Sequence, residues 1–446
     1  MEVPDMLART FIQALLLLAG AGPQAGEPRL ELLAPAADHH QHLLSPALAR
    51  LWSDSLLPPP VLPSELAVLV SDLERFWDSE SGLAPLYSED SVLIEPRSEA
   101  FVRGRAAIAA RLSRLFRAAF ELVPNAFHVE GDSGYLTLYL VRPQEGEELP
   151  IAETLLTVRR DAEGAWRIVT QTLKVPGPTI LRPFTADDLV RLMDQAGIRR
   201  AVVLSAAYAF SDKDLPPSPD EYANVRAEND WTARQVVQFP DRLVGFCAVS
   251  PIQEYALAEI RRCATELHLR GLKLHFGNSG VDIAQPEHLA MVQAVFREAN
   301  GLGLPIAVHV QRGDDPGVEQ AEILLAQVLP LAPDIVVQIA HLAGSGPGWN
   351  DEALAVFAEA VARGDPRTAR LYFDLATVAE DQSHDRLTQL ARRIRQIGVG
   401  RILYGSDGAW GGRPTPRQQW GMFQGMVPLS EAEIAAIARN AAPYLE

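Results

Sequence analysis

The residues best equipped for chemistry are histidines and one aspartate that close short apolar runs. The first run ends in Asp38-His39-His40-Gln41-His42, and the two-residue period of a strand puts His40 and His42 on one face and His39 on the other. Two imidazoles spaced this way can hold one cation. Three later runs close similarly, 305–309 on His309, 336–341 on His341 and 402–407 on Asp407. In Gly271-Leu272-Lys273-Leu274-His275, Lys273 and His275 share a face while the leucines point the other way. Neutral imidazoles with a carboxylate suit Zn²⁺ and similar divalent ions, and a catalytic site keeps one coordination position for water. A single strand-end histidine is ordinarily a hydrogen-bonded structural residue. Several at the ends of different strands would leave buried polar groups unpaired unless a metal or a polar network satisfied them.

The elements that must position these residues follow from the rhythm of the chain. From Thr185 on, apolar runs at 201–205, 243–249, 271–275, 305–310, 335–341, 371–375 and 401–404 alternate with helical patterns, which gives seven βα repeats. A closed parallel barrel needs eight strands in about 250 residues, and the remaining candidate is the run at 30–42. The expected fold is therefore an α/β (β/α)8 barrel interrupted after its first strand. In such a barrel, chemistry gathers where strands end and βα loops begin.

Proline-rich joints, Pro58-Pro59-Pro60 with Pro63 and Pro176-Gly177-Pro178, bracket the interruption. Residues 64–175 read as an antiparallel α+β unit, with helices at 65–77 and 106–122 and strands at 126–130, 135–142, 151–159 and 166–174. The leader, residues 1–26, carries Arg9, an apolar stretch around Leu15-Leu16-Leu17-Leu18 and small residues after it. That order predicts a secretory signal peptide, with initiation at Met6 removing the acidic Glu2 and Asp5, and a periplasmic or secreted enzyme. A cytoplasmic enzyme with a short extension is the alternative. Residues 27–57 then hold the first barrel strand and its metal-binding turn, and 179–446 the rest of the barrel.

The whole chain has 446 residues, 48% hydrophobic and 22% charged, which excludes a wholly disordered or fibrous protein. Its net charge of −17 repels phosphate backbones and argues against a nucleic-acid partner. The run at 11–22 is too short to span a bilayer. Cys247 and Cys263 cannot build a disulfide framework or a paired Cys-x-x-Cys zinc site, and Cys247, at the end of an apolar strand, reads as a small buried hydrophobe. Trp349 and Trp410, in loops beside glycines, read as walls of a substrate cleft.

Taken together, these motifs resemble the amidohydrolase superfamily, specifically the amidohydrolase-related branch of metal-dependent hydrolases and decarboxylases. The resemblance rests on Asp38-x-His40-x-His42, His309, His341, Gly405-Ser406-Asp407, Asn229-Asp230, the stretch 239–246 and Gly271–His275, and covers residues 30–45 and 185–446. It implies that His40, His42, His309 and Asp407 bind one divalent metal, most simply Zn²⁺. Asp407 would also be the general base and His341 the residue that orients water or substrate. Lys273 would bridge a second ion if carboxylated; binding a substrate carboxylate is the equal alternative. His275, Arg312 and Trp410 are the remaining candidate substrate contacts. After Asp407 this chain has Gly408-Ala409-Trp410-Gly411-Gly412 where the branch usually has an aromatic residue and proline. Residues 64–175 resemble the cone-shaped NTF2-like (SnoaL-like) domains, which implies a pocket or a homo-oligomer surface. The expected partner is a small-molecule substrate, and the expected reaction is hydrolysis of a lactone, ester or amide. Non-oxidative decarboxylation of an aromatic or unsaturated acid, or an inactive ligand-binding protein, are the alternatives.

Overall fold

The computed structural model describes residues 33–53, 59–77, 79–95, 100–115, 120–144, 147–174, 181–311, 317–346, 348–380 and 382–445. The leader and Arg312 lie outside these residues. The chain divides into two compact units, one Arg50–Leu181 and the other formed by the segment that ends at Ala49 together with Arg182–Glu446.

Eight parallel strands build the larger unit: β1 Ala37–Gln41 and, after the six strands of the other unit, β8 Arg200–Leu204, β9 Leu243–Ala248, β10 Leu272–His275, β11 Ile306–His309, β12 Val337–Ile339, β13 Leu371–Asp374 and β14 Ile402–Leu403. They pair in the order β1-β8-β9-β10-β11-β12-β13-β14. The ring closes at the β14–β1 seam, where the His39 N–H donates to Tyr404 O at 2.8 Å and the Asp407 N–H to His40 O at 2.7 Å. Strands such as Leu243–Ala248 are buried at every residue because helices cover the outside and side chains fill the inside.

The two faces of each strand have different partners. Outward residues such as Leu272, Leu274, Val308, Ile339 and Phe373 join one core with the helices, among them Ile260, Phe296, Phe357 and Ile394. Inward residues Ala37, Val202, Leu204, Val244, Phe246 and Ala307 form a smaller apolar floor closed by Leu445. Gly271 is needed beside that floor, since a Cβ there would lie 2.5 Å from the Phe246 ring. The helices are bounded by local chemistry. Thr185 and Asp188 make a capping box at the start of Ala186–Ala196, and Gly197 ends it at φ 72°.

One expectation about this unit is overturned. Cys247 is not simply a buried hydrophobe: it is bonded to Cys263 of the helix Ala256–Thr265, with Cα atoms 6.1 Å apart. Spacing alone could not show that strand β9 and the helix that follows it turn these two side chains toward each other. Closing a loop of 16 residues restricts the unfolded chain by about 3 kcal/mol. Replacing both cysteines by alanine should therefore lower the Tm by roughly 6–12 °C for a domain of this size, measured by calorimetry without reductant.

Glu228, on the helix Glu221–Val236, is buried and accepts a 2.5 Å bond from Ser45 Oγ through one oxygen, while Oε1 has no partner among the described residues. Burial pushes its carboxyl up to about 7, against the weaker pull of Ser45 and Arg234. Because the folded pKa lies above the unfolded value, its contribution is fully present below about 4.5 and is lost as pH rises through 7. Glu228→Gln should consequently raise the Tm at pH 8 relative to wild type and leave it nearly unchanged at pH 5, as thermal melts at both pH values would show.

The smaller unit packs helices Ser64–Arg75 and Arg105–Leu115 on a six-stranded sheet ordered β3-β2-β7-β6-β5-β4, with β2 Tyr87–Glu95, β3 Ala100–Arg103, β4 Glu121–Glu130, β5 Ser133–Gln144, β6 Glu147–Arg160 and β7 Trp166–Lys174. Leu66, Leu73, Ile108 and Leu112 meet Leu138, Leu140, Leu156 and Ile168 in its core. This is the α+β layering expected of an NTF2-like domain, with two differences in detail. Strands β2 and β3 form where polar Ser88, Glu89 and Asp90 hide the alternation, and β2 runs parallel to β7. Residues 121 and 122 begin a strand rather than end a helix; Pro124 is tolerated because the β4–β5 register shifts there.

Candidate metal centre

The apolar floor of the barrel gives way to polar side chains at the strand ends. On β11, inward Ala307 is followed two residues on by His309; on β10, Lys273 is followed by His275. His40, His42, Lys273, His309, His341 and Asp407 are all buried. One ligand atom each from His40, His42 and Asp407 lies within 4.8 Å of the others, and the same holds for His40, His341 and Asp374. The His40 ring is 5.3 Å from that of His42 and 4.7 Å from that of His341. His309 belongs to neither triad; it stacks on His275 at 4.0 Å and stands 5.1 Å from His341.

The outer hydrogen bonds of these rings decide which nitrogens face inward. His40 Nδ1 pairs with Asp374 Oδ2 at 3.0 Å, His42 Nδ1 with Leu204 O at 2.7 Å, and His341 Nδ1 with Ala376 O at 2.8 Å. Each partner accepts a proton, so Nδ1 carries the hydrogen and Nε2 keeps its lone pair. That is the arrangement that orients metal-binding imidazoles. Burial pushes His42 and His309 well below the ordinary histidine range, with neighbouring His and Lys273 charges adding to the effect. Burial also lowers His341 to about 4, reinforced by His40. Neutral rings need no proton release before they donate a lone pair.

Asp374, at the end of β13, is a candidate site residue that sequence reading missed. Its Oδ2 accepts from His40 Nδ1 and, at 2.7 Å, from Gln338 Nε2; its Oδ1 accepts from the backbone N–H groups of His341 at 3.0 Å and Ala376 at 3.1 Å. Burial raises its pKa, but His40 and His341 outweigh burial and hold it well below the usual carboxylate range. The available signal was its position, since it ends an apolar strand as His309 and His341 do. On the first strand, Asp38 plays a supporting part by accepting from the Ser406 N–H at 3.0 Å and Ser406 Oγ at 2.5 Å.

Asp407 follows β14 at φ 45°, in the left-handed region. Its Oδ2 accepts a 2.6 Å bond from Arg413 Nη1, and its Oδ1 a 3.4 Å bond from Trp410 Nε1. Burial would raise this carboxyl, but Arg413, His40 and His42 hold it far below its usual range. His341, Leu342, Ala343, Thr377 and Ala409 also have positive φ, so backbone strain concentrates just beyond strands β12 to β14. Lys273 Nζ lies 3.4 Å from His40 Nε2, and burial lowers it to about 8 against the pull of Asp374 and Asp407. His275 also faces Tyr208, whose ring is 4.8 Å away. Trp349 is buried beneath Arg386 and lines a cavity with Gln311, Asn350 and Gln389.

Residues 179–443 match the amidohydrolase family model, which is more than half of the chain. The chain belongs to the amidohydrolase family. No curated protein matches this amidohydrolase. Solved structures similar to it include an amidohydrolase from Staphylococcus aureus (17% identity, 58% of this chain and 90% of that one, TM-score 0.42). A 2,6-dihydroxybenzoate decarboxylase from Rhizobium is comparable, at 17% identity, 59% and 90% coverage and TM-score 0.44. An NTF2-like protein with a cystatin-like fold from Novosphingobium aromaticivorans shares 27% identity over 25% of this chain and 81% of its own, with TM-score 0.22. Among the described residues, no helix of this amidohydrolase is long and apolar enough to cross a membrane.

Proposed function

We propose that this amidohydrolase is a metal-dependent hydrolase that opens a lactone, ester or amide of a small organic substrate. The observation that carries the reading is the buried triad His40, His42 and Asp407, with ligand atoms within 4.8 Å of one another and both Nδ1 atoms already engaged outside the site. These residues fit a divalent ion: they would hold it, Zn²⁺ in our reading, with His309 as a fourth donor. Such an ion, when bound, supplies a lowered pKa for water and polarises a carbonyl.

The protein's own groups do the rest. Asp407 takes the proton of the attacking water and returns it to the leaving group. His341, fixed by Asp374 and Ala376, presents the lone pair of Nε2 to accept a hydrogen bond from the attacking water and orient it. Lys273 supplies a buried positive charge 3.4 Å from His40 Nε2, for a substrate anion or, once carboxylated, for a second ion. His275 and Trp410 would complete the substrate contacts, as would Arg312. The leader marks the enzyme for export in the same reading. A disulfide between Cys247 and Cys263 suits an oxidising compartment, and the intact mass of the mature protein would show a start near residue 27.

A second reading, non-oxidative decarboxylation, is favoured by the two cationic side chains, Lys273 and Arg413, that face the site carboxylates. Product analysis across lactone, amide and carboxylate panels separates the two. Acid release or ring opening without CO₂ supports hydrolysis. Release of CO₂ with no consumption of water overturns it.

A further inference from the structure

Arg413 is the cation that the proposed chemistry leaves without a task. Its guanidinium is pinned at one end only: among the described residues, its hydrogen bonds all run through Nη1, to Asp407 Oδ2 at 2.6 Å and Asp407 O at 3.3 Å. The Nε and Nη2 edge has no protein partner there, and the side chain is about one-third exposed. The guanidinium lies over the Trp410 ring at 4.2 Å, and Trp410 is itself held on Asp407. One face of the fork is thus fixed in orientation while two of its donor groups are open.

The loop is built to put it there. Asp407, Ala409 and Gly411 all have positive φ. The Ala409 N–H donates to Pro414 O at 3.1 Å, which folds the chain back on itself. A Cβ at Gly408 would come within 2.4 Å of the same oxygen, so only glycine allows the return. Charge points the same way. Two buried carboxylates balance two cations: Asp374 and Asp407 act on Lys273, and Asp407 also pairs with Arg413. A divalent ion in the triad would leave this site net positive, which a buried site relieves by taking an anion.

We propose that Arg413, braced on Trp410, recognises a carboxylate of the substrate through its open Nε and Nη2 edge. A planar fork offering two parallel N–H donors matches the two oxygens of a carboxylate. This inference rests on the metal-centre reading for the position of the substrate, and names its chemical class. Arg413 is a specificity-determining residue in this account, not a participant in proton transfer.

The test uses the full-length protein, metal-free and Mn²⁺-loaded, titrated calorimetrically with benzoate and with its neutral analogue benzamide. Wild type should bind benzoate at least tenfold more tightly. Arg413→Gln should reduce that preference to twofold or less with metal content unchanged, and Arg413→Lys should keep part of it, because a point charge remains without the fork. Equal binding of the two probes by wild type, or an undiminished benzoate preference in Arg413→Gln, overturns the proposal. Failure of wild type to take up metal while the Arg413-dependent preference persists overturns the metal-centre reading instead.

Discussion

Replacing Asp407 by asparagine is expected to lower kcat by at least about three orders of magnitude and to strip the protein of most of its metal. The substitution is nearly isosteric, so the effect comes from charge and hydrogen bonding. Both carboxylate oxygens accept from side-chain donors, Oδ2 from Arg413 and Oδ1 from Trp410. An asparagine amide can accept at one of these positions only; whichever way it turns, an NH₂ group meets an N–H donor. The same change removes the anionic ligand from the His40, His42 and Asp407 triad and the acceptor for the water proton. Turnover and elemental analysis on the same preparation check the prediction. Normal metal content with wild-type turnover would show that Asp407 serves neither purpose.

The second large effect is expected at Asp374, which would touch neither metal nor substrate. Asp374→Asn should weaken metal binding roughly 10–100-fold, the usual cost of losing the carboxylate behind a ligating imidazole. The carboxylate takes four donors, from His40 Nδ1, Gln338 Nε2 and the N–H groups of His341 and Ala376. An amide at this position again opposes donor to donor, leaving a buried polar group unpaired, at about 2–4 kcal/mol of stability. It also releases His40 from the tautomer that keeps Nε2 free. Competition against a chelator gives the metal affinity, and turnover at saturating metal should recover at least in part. A variant destabilised by the stated amount but with unchanged metal affinity would reduce Asp374 to a structural role.

The barrel was legible because its chemistry is written in local patterns. Each strand is a short apolar run, each helix an amphipathic one, and the polar residue at each strand's end marks the face where side chains stop packing and start reacting. His40 and His42 follow from a two-residue period, and Asp407 from its place after an apolar run. What escaped depended on neighbours distant in the chain. Asp374 gains its meaning from His40, 334 positions away. Arg413 gains its own from a return of the chain through Asp407, Ala409 and Gly411 that no periodicity records. The Cys247–Cys263 bond needs the packing of a helix on β9, and strand β2 begins with polar residues that break the alternation. In each case the missing information is tertiary.

Crystals grown with Mn²⁺ or Zn²⁺ and measured at the metal's absorption edge would test the central claim most directly. The account predicts one anomalous peak with His40 Nε2, His42 Nε2, a His309 nitrogen and an Asp407 oxygen at about 2.0–2.2 Å. A metal-replete crystal with no peak there, or with its peak bound by other residues, would contradict it.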